Sequence, residues 1–341
     1  MTPPNVAAAF AHQSVACRNL DSPFMAQLCG LFARRDWPDT PVRDRIFEWA
    51  GDLSPAGDSV PLRLAGALHA LHLKARAFEG VYPPQEVSDD TLWNAVGDAM
   101  EAHDAFINRW IDSPPQTNEV RRSAVLIALG HALADRFPMP FSVRELGASG
   151  GLNLAWDRYG LQIGDQLFGS DDILTLTPEW DGPMPPKTAP KVTSQAGVDL
   201  NPLDPKDPDD ALRLQAYLWP DQPERLARTQ AAISAASVPV TKGDAIDWLA
   251  ANISQPPDTL QLIYHTVAWQ YFPKAVQVRG TALIEAAGAK ATNSAPLAWF
   301  GMESDGATNG AALTLRLWPG DLRFDLGRAD FHGRWVNWKG M

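Results

Sequence analysis

The sequence is poor in cysteine and in basic residues, and each shortage excludes a class of protein. Only two cysteines, Cys17 and Cys29, occur among 341 residues. This number excludes a disulfide-rich scaffold, and we expect a reducing, cytoplasmic location. Lys and Arg number 29 against 40 Asp and Glu, which gives a net charge of −11. Because an acidic surface repels phosphates, we expect no general binding of nucleic acid.

Long apolar runs are also missing. No run approaches the roughly 18 apolar residues that a membrane-spanning helix requires. The first residues, MTPPNVAAAFAHQSVACRNL, lack the basic start and the apolar stretch of a signal peptide. We therefore expect no membrane partner. Hydrophobic residues make up 45% of the chain and charged residues 20%, which is the composition of a globular protein.

The first part of the chain shows helical periodicity only. Apolar residues recur at helical spacing over 60–78, 91–111 and 118–137, and Pro138 and Pro140 end the last pattern. We find no strand candidate before residue 141. The sequence therefore predicts a helical N-terminal region over residues 1–138.

From residue 139 to 341 the pattern changes to an α/β domain. Short apolar runs at 141–146, 192–200, 238–245, 260–269 and 295–303 alternate with helical patterns, which predicts a mostly parallel sheet. A period-two stretch with a turn at Pro319-Gly320 predicts a closing antiparallel hairpin. Residues 159–191 predict a β-hairpin insertion followed by a Pro-rich linker. This insertion is either a lid over the ligand crevice or a surface decoration.

The most informative motif is a glycine-rich turn between a strand and a short helix. It reads VRELGASGGLNL and includes Gly147, Gly150 and Gly151. The pattern Glu145-x-Gly147-x-Ser149-x-Gly151 resembles the first motif of class I S-adenosylmethionine-dependent methyltransferases, with Ser149 in place of the middle glycine. In that family the turn packs against the methionine portion of the cofactor.

The same resemblance extends to the ends of the next two strands. It implies that Asp199, in Gly-Val-Asp-Leu, holds the ribose hydroxyls of the cofactor. It also implies that Asp244, in Gly-Asp-Ala, meets the adenine. The cofactor-binding residues expected on this basis are Glu145, Gly147, Ser149, Gly151, Asp199 and Asp244.

Two other interpretations of the turn stay open. Residues 147–151 match G-x-S-x-G, the nucleophile elbow of serine hydrolases, so Ser149 could be a nucleophile with Asp244 or Asp305 and His265 or His332 as partners. Against it, several strands should precede such an elbow, and here only helical patterns do. The turn could also pack a strand against a helix without any site.

Polar residues follow the next two strands as well. His265 stands at the end of LQLIYHT, and Gln270 follows in the loop. Glu303 ends APLAWFGME. The carboxyl ends of parallel strands share one edge of a sheet, and in class I methyltransferases the strand end at His265 faces the acceptor. The resemblance therefore implies that these residues face the acceptor, with His265 as a general base. A histidine satisfied by core groups is the alternative.

An acidic run precedes one predicted helix. Its residues are Asp204, Asp207, Asp209 and Asp210. Carboxylates cap helix N-termini and suit the helix dipole, so we interpret the run as a cap rather than as a metal site. No metal is expected.

The longer motifs identify a family. They are ELGASGGLNLAWDRYG, GVDLNPLDPKDPDDALRLQAYLWPDQPERLARTQAAI, IYHTVAWQYFP and APLAWFGMES, in this order. The chain is identified as a member of the uncharacterised bacterial domain-of-unknown-function family numbered 2332. This resemblance implies a Rossmann-like fold of the class I methyltransferase type.

The function expected from these observations is methyl transfer from S-adenosylmethionine to a small molecule. Catalysis would consist mainly of positioning for in-line attack on the methyl group. A non-catalytic ligand-binding or protein-interaction module on the same fold is the alternative, and the serine hydrolase is the third.

Overall fold

The computed structural model describes residues 2–55 and 57–341, which form two compact units. The first comprises Met1–Thr117 and Asp207–Gln230, and the second comprises Asn118–Lys206 and Ala231–Met341. This division differs from the boundary predicted at residue 138. Residues 118–138 pack with the sheet, whereas 207–230 pack with the N-terminal helices.

The α-helices have the following bounds in chain order: α1 Pro4–Asn19, α2 Pro23–Arg34, α3 Pro41–Phe47, α4 Val60–Ala75, α5 Asp89–Ala102, α6 Asp104–Trp110, α7 Ser123–Arg136, α8 Pro208–Ala216, α9 Pro223–Ala235, α10 Ala245–Asn252 and α11 Lys274–Gly288. Short 3₁₀ turns cover Val120–Arg122, Leu152–Arg158 and Trp269–Tyr271. Within the described residues no strand precedes residue 141, as predicted.

The predicted helix over 91–111 is two helices in the structure. His103 separates α5 from α6 with non-helical torsion angles, φ −124° and ψ 21°. The Asp104 side chain, which opens α6, accepts a hydrogen bond from the Val42 N–H at 2.7 Å. The new helix is thereby tied to α3, a tertiary contact that a periodicity pattern does not record.

The first unit is built around an apolar core that the helical pattern predicts. Buried side chains of α1, α2 and α4 to α6 form one cluster, which also includes Tyr217 after α8. Phe10, Phe32 and Trp37 pack as an aromatic group with ring centroids 4.6–5.3 Å apart. Asp207 caps α8 by accepting the N–H groups of Asp209 and Asp210, so the capping interpretation is confirmed at this residue.

The strands of the second unit have the following bounds: β1 Phe141–Leu146, β2 Gly160–Ile163, β3 Gln166–Gly169, β4 Thr175–Leu176, β5 Glu179–Asp181, β6 Val192–Asp199, β7 Val240–Lys242, β8 Leu260–Thr266, β9 Leu297–Glu303, β10 Ala311–Trp318, β11 Leu322–Ala329 and β12 Trp335–Trp338. All five predicted apolar runs contain a strand.

Nine of these strands form one mixed sheet in the order β5-β12-β11-β10-β9-β8-β1-β6-β7. Five neighbouring strands of this sheet are parallel, so their carboxyl ends meet at one edge. They are β7, β6, β1, β8 and β9. Beyond β9, β10 to β12 form an antiparallel meander, and β5 joins β12 in parallel. The α/β class is thus confirmed, but the antiparallel part is larger than the single predicted hairpin.

Both faces of the parallel strands are covered, which explains why β8 is buried along its whole length. Alternate residues of β1 point to opposite layers. Phe141 and Val143 pack in a core with α7, whereas Leu146 packs in a second core with α10 and α11. Glu145 follows Phe141 and Val143 at period two, so it belongs to the α7 side.

The predicted hairpin insertion is present as β2 and β3, and β4 pairs with β2. Its side chains Leu161, Phe168 and Leu176 are buried in the same core as α7. The insertion is therefore a packed structural layer of the second unit. Over residues 2–55 and 57–341, no helix has both the length and the apolar character needed to cross a membrane.

Candidate functional site

The glycine turn lies where β1 ends, at the centre of the five parallel strands. The chain runs from β1 to β6 and β7 on one side, then returns to β8 and β9 on the other. Such a reversal creates a crevice at the carboxyl edge of the strands, which is where α/β proteins bind ligands. Gly147, Ser149 and Gly151 all have positive φ angles, at +75°, +53° and +70°. A serine in this region is uncommon and indicates a constrained turn.

The N–H groups of the turn are mostly used inside the protein. Gly147 and Ala148 donate to the carbonyl of Val198 at 2.9 and 3.0 Å. The Leu152 N–H, at the start of the following 3₁₀ turn, donates to Asn118 Oδ1 at 2.9 Å. Gly151 N–H closes a local turn onto Ala148 at 2.7 Å. The turn is therefore tied to β6 and to the segment before α7.

Asp199 connects the end of β6 to this turn. Its Oδ2 accepts the Ser149 N–H at 2.9 Å, and its Oδ1 accepts the Asn201 N–H at 2.9 Å. The residue is half-buried. A carboxylate offers about four lone-pair directions, so these two bonds leave acceptor capacity on both oxygens. The structure thus brings together Glu145, Gly147, Ser149, Gly151 and Asp199 at adjacent strand ends.

Glu145 lies buried just before the turn, 1% exposed. The Tyr264 hydroxyl on β8 lies 3.1 Å from Glu145 Oε2 and 3.0 Å from the Asn153 carbonyl. Burial raises the pKa of Glu145 to about 8, while Tyr264 and the nearby Arg122 oppose this rise. A neutral Glu145 can donate its proton to the Tyr264 oxygen, while the hydroxyl proton goes to Asn153. Every polar atom of this contact is then satisfied.

Asn153 is a residue of the site that sequence reasoning missed. Its Oδ1 accepts the Ser123 hydroxyl at 2.7 Å, and its Nδ2 donates to the Glu119 carbonyl at 3.2 Å. Asn153 thus joins the start of α7 to Tyr264. It is 1% exposed, and buried amides are kept only where their hydrogen bonds are made. The sequence signal that could have indicated it is a single polar residue inside the otherwise apolar segment LNLAW.

Asp244 follows β7 at the same edge but has a structural task. Its Oδ1 accepts the N–H groups of Ile246 and Asp247, both at 2.9 Å, and thereby caps α10. The same oxygen lies 2.9 Å from Arg279 on α11. Helix capping is a sufficient reason for an aspartate at this position. The adenine contact stays a prediction.

The ends of β8 and β9 carry a second polar group. His265 Nδ1 lies 2.8 Å from Glu303 Oε1, and His265 Nε2 lies 3.0 Å from the indole Nε1 of Trp299. An indole N–H can only donate, so Nε2 must be the acceptor of that bond. The ring proton is then on Nδ1, which donates a hydrogen bond to Glu303. His265 is 4% exposed and stacks on Trp269 with centroids 4.9 Å apart.

Glu303 also collects backbone N–H groups from the loop after β8. Oε1 accepts from Ala268 and Trp269, both at 3.0 Å, and Oε2 accepts from Gln270 at 3.2 Å. The bonds to His265 and to these N–H groups hold the pKa of Glu303 below its usual value although burial opposes them. The Gln270 side chain in turn accepts the Ser304 N–H at 2.8 Å.

These contacts give the three residues expected to face the acceptor partners inside the protein, and their catalytic roles stay predictions. His265 has both ring nitrogens engaged inside the protein, so its geometry argues against a general base. Glu303 and Gln270 hold backbone groups of the loop and of the β9 end. The structure brings His265, Gln270 and Glu303 together as predicted, but as a scaffold for the loop.

A cavity of about 480 Å³ lies at the other end of the sheet, where Trp318 of β10 pairs with Leu297 at the start of β9. Its walls include Arg316 and Asp321. The Arg316 guanidinium is ion-paired with Glu285 at 2.6 Å and with Asp321 at 2.8 Å. Its charge is therefore balanced within the protein, and the cavity contributes no residue to the carboxyl edge. Among the described residues, no group of three or more His, Cys, Asp or Glu could hold a metal ion.

The family model described as an uncharacterized protein conserved in bacteria, DUF2332, matches residues 7–338. The chain belongs to this family. The predicted membership is confirmed, and the family match covers the glycine turn and both strand-end carboxylates. Comparison with curated proteins and with solved structures gave no match.

Proposed function

We propose that this DUF2332 protein binds S-adenosylmethionine at the carboxyl edge of its parallel strands and transfers the methyl group to a small molecule. One observation carries the proposal. The glycine turn of the central strand β1 is hydrogen-bonded through Ser149 N–H to Asp199, which ends the neighbouring strand β6. The order β7-β6-β1-β8-β9 agrees with the Rossmann-like order 3-2-1-4-5, which supports a class I methyltransferase type of fold.

The hydrogen bonding of the turn favours a cofactor without phosphates. Dinucleotide and nucleotide loops present free backbone N–H groups to phosphate oxygens. Here the N–H groups of Gly147, Ala148, Ser149, Gly151 and Leu152 already have acceptors in the protein. S-adenosylmethionine offers an adenosine without phosphate and a positive charge, and a chain of net charge −11 suits that cation.

The carboxylates at the edge suit the two ends of such a cofactor. Asp199 has acceptor capacity left for a vicinal diol such as that of a ribose. Glu145 is buried beside Tyr264 and can change its protonation state near neutral pH, because its pKa is about 8. A cation placed close to Glu145 would favour the ionised carboxylate.

Catalysis in this proposal depends on placement. The bound cofactor would supply an electrophilic methyl group. The chain would contribute the fixed turn and the rigid loop after β8, which hold the reacting partners in line and exclude water. Since His265 is engaged at both nitrogens, we expect an acceptor that is already a competent nucleophile when it enters the site.

The proposal is tested by calorimetric titration with S-adenosylmethionine and S-adenosylhomocysteine after removal of any co-purified ligand. We expect dissociation constants in the micromolar range or below for the wild type. Asp199→Ala should abolish binding, whereas Asp165→Ala, an exposed acid in the β2–β3 turn, should leave it unchanged. Wild-type protein that binds neither compound would overturn the proposal.

A non-catalytic ligand-binding module is the second candidate. The observation that favours it is the internal engagement of His265, Gln270 and Glu303. Micromolar binding of S-adenosylmethionine without transfer of its methyl group to oxygen, nitrogen, sulfur or carbon nucleophiles would support it. Transfer of a labelled methyl group to any of them would exclude it.

The serine hydrolase receives little support from the geometry. Of the two candidate bases, His265 is bonded to Trp299 and Glu303, and the candidate acids are occupied elsewhere. Asp244 caps α10, and Asp305 forms a two-pronged ion pair with Arg328. Covalent labelling by a fluorophosphonate that is lost in Ser149→Ala would reverse this conclusion.

A further inference from the structure

The loop after β8, Val267–Tyr271, adopts a conformation that it would not keep by itself. Val267 has φ +54°, in the left-handed region. For a β-branched residue this region is a true outlier, because the branched side chain collides with its own backbone. Such residues persist only where surrounding contacts hold them, and they concentrate at functional sites. We refer to this segment as the β8 loop.

The contacts that hold the β8 loop come mainly from β9. Val267 N–H donates to the Met302 carbonyl at 2.8 Å. The next three N–H groups, those of residues 268 to 270, converge on the carboxylate of Glu303. The side chain of Glu303 is 15% exposed. A mostly buried carboxylate forms strong, charge-assisted bonds of this kind, so Glu303 is the main restraint on the loop.

Glu303 is itself held in place by two further side chains. His265 donates to Glu303 Oε1, and Trp299 donates to the other ring nitrogen of His265. The position of the ring requires the glycine opposite it on β9. A Cβ at Gly301 would lie 2.8 Å from His265 Cε1. Trp299, His265 and Glu303 thus form a chain of hydrogen bonds that ends on the loop backbone.

The β8 loop touches the glycine turn of the proposed ligand site. A Cβ at Gly147 would lie 2.5 Å from the Cβ of Ala268. The two loops can approach this closely only because residue 147 has no side chain. Real Cβ atoms essentially never approach so closely. A shift of the β8 loop by a few tenths of an ångström would therefore change the space beside Gly147.

We propose that Trp299 and His265 are positioning residues that act through Glu303 to hold the β8 loop against the glycine turn. The ligand-site part of this inference rests on the proposed function, while the loop-holding part does not. Neither residue touches the reacting atoms in this account. Their effect is to fix one wall of the site.

The first test needs no variant. Nitrogen-15 NMR of the imidazole in wild-type protein at pH 7 reports which ring nitrogen carries the proton. The relay requires a neutral His265 with the proton on Nδ1 and a bare Nε2. A His265 protonated on Nε2 would break the bond from Trp299 and would overturn the proposal.

The second test measures exchange of the amides of residues 268 to 270 in the ligand-free protein. Trp299→Phe keeps an aromatic side chain but removes the N–H donor, and we expect exchange at these amides to accelerate about tenfold or more. Trp180→Phe is the matched control, because it removes an indole bond to Pro183 elsewhere in the unit. It should leave the loop unchanged. Equal exchange in Trp299→Phe and wild type would overturn the proposal.

If Trp299→Phe does not fold, Gly301→Ala replaces it. The added methyl displaces the His265 ring without removing any hydrogen-bonding group, and the same loss of loop protection is expected. Ligand titration is then run separately on the wild type. Absence of binding would defeat the proposed function alone, since the exchange and tautomer results are obtained without ligand.

Discussion

The carboxyl edge of the parallel sheet contains two carboxylates in equivalent places but with different duties. Asp199 ends β6 and accepts an N–H from the loop after its inner neighbour β1. Glu303 ends β9 and accepts three N–H groups from the loop after its inner neighbour β8. Each carboxylate fastens the loop of the strand beside it.

The difference lies in how much acceptor capacity each retains. Glu303 receives four hydrogen bonds, three at Oε1 and one at Oε2, so Oε1 is fully used and Oε2 keeps one lone-pair direction. Asp199 receives two. We infer that the β1/β6 side is the ligand side of the edge and that the β8/β9 side is its scaffold. A second contrast concerns protonation, because the pKa of buried Glu145 is raised whereas that of Glu303 is lowered.

The protonation contrast predicts the largest effect. The native state keeps the Glu145 proton up to about pH 8, whereas the unfolded chain releases it near the ordinary value of 4.5. Stability conferred by the neutral form is therefore complete at low pH and falls as the pH rises from about 4.5 to 8. At pH 9, Glu145→Gln should be more stable than the wild type by up to about 5 kcal/mol, at about 1.4 kcal/mol per pKa unit.

Urea unfolding from pH 5 to pH 9 checks this prediction, with the exposed Glu224→Gln as control. Glu303 should behave in the opposite sense. Its lowered pKa means that its carboxylate stabilises the fold above the unfolded value and that this contribution is lost as the pH falls through the folded one. A stability difference between Glu145→Gln and wild type that does not change with pH would contradict the contrast.

The next effect separates the two strand-end carboxylates directly. Glu303→Gln replaces one acceptor oxygen with an NH2 group, so at least one part-buried donor in this contact loses its acceptor, and the free energy of unfolding should fall by about 3 kcal/mol. Asp199→Asn affects a half-buried residue with two bonds and should cost about 1 kcal/mol. Urea unfolding at pH 7 measures both. If Asp199→Asn were the more destabilising of the two, the assignment of scaffold and ligand sides would be reversed.

A third prediction concerns the contact between the two loops. Gly147→Ala adds a methyl group against Ala268 at a residue with φ +75°, and should cost about 2–3 kcal/mol through strain and overpacking. Ala268→Gly in the same chain removes the collision but not the strain. The double variant should recover at least about 1 kcal/mol. Additive losses in thermal or urea unfolding would show that the loops do not meet there.

The smallest effect is expected at Ser149. Its contribution to the ligand side is the backbone N–H that Asp199 accepts, and Ser149→Ala retains that donor. Affinity for S-adenosylhomocysteine should change less than about threefold, a difference below about 0.7 kcal/mol. Calorimetry provides the measurement. A loss of binding in Ser149→Ala would indicate that the hydroxyl itself contacts the ligand.

The strand ends of this edge could be predicted because local signals mark them. Short apolar runs ending in Gly-Ala-Ser-Gly, Asp, His or Glu predict both the strand and the polar group at its end. Parallel order then predicts that Glu145, Asp199, His265 and Glu303 share one edge. The cap at Asp207 follows from local chemistry in the same way.

What could not be predicted depends on register and tertiary packing. The bond from Trp299 to His265 requires His265 to pair with Gly301, a register that neither strand encodes alone. The Tyr264 hydroxyl meets Glu145 and the Asn153 carbonyl only after β1 and β8 are adjacent. The unit boundary differs from the predicted one because residues 118–138 pack with the sheet, and residues 207–230 join the N-terminal helices from a distant part of the sequence.

The most direct test of the two-sided edge is a hydrogen-exchange footprint of the wild-type protein with and without saturating S-adenosylhomocysteine. We expect new protection in the glycine turn, residues 147–152, and around residues 199–201. Amides 268–270 should already be protected in the free protein because Glu303 accepts them. Protection confined to other parts of the chain, or none despite measured binding, would contradict the assignment of the β1/β6 side as the ligand site.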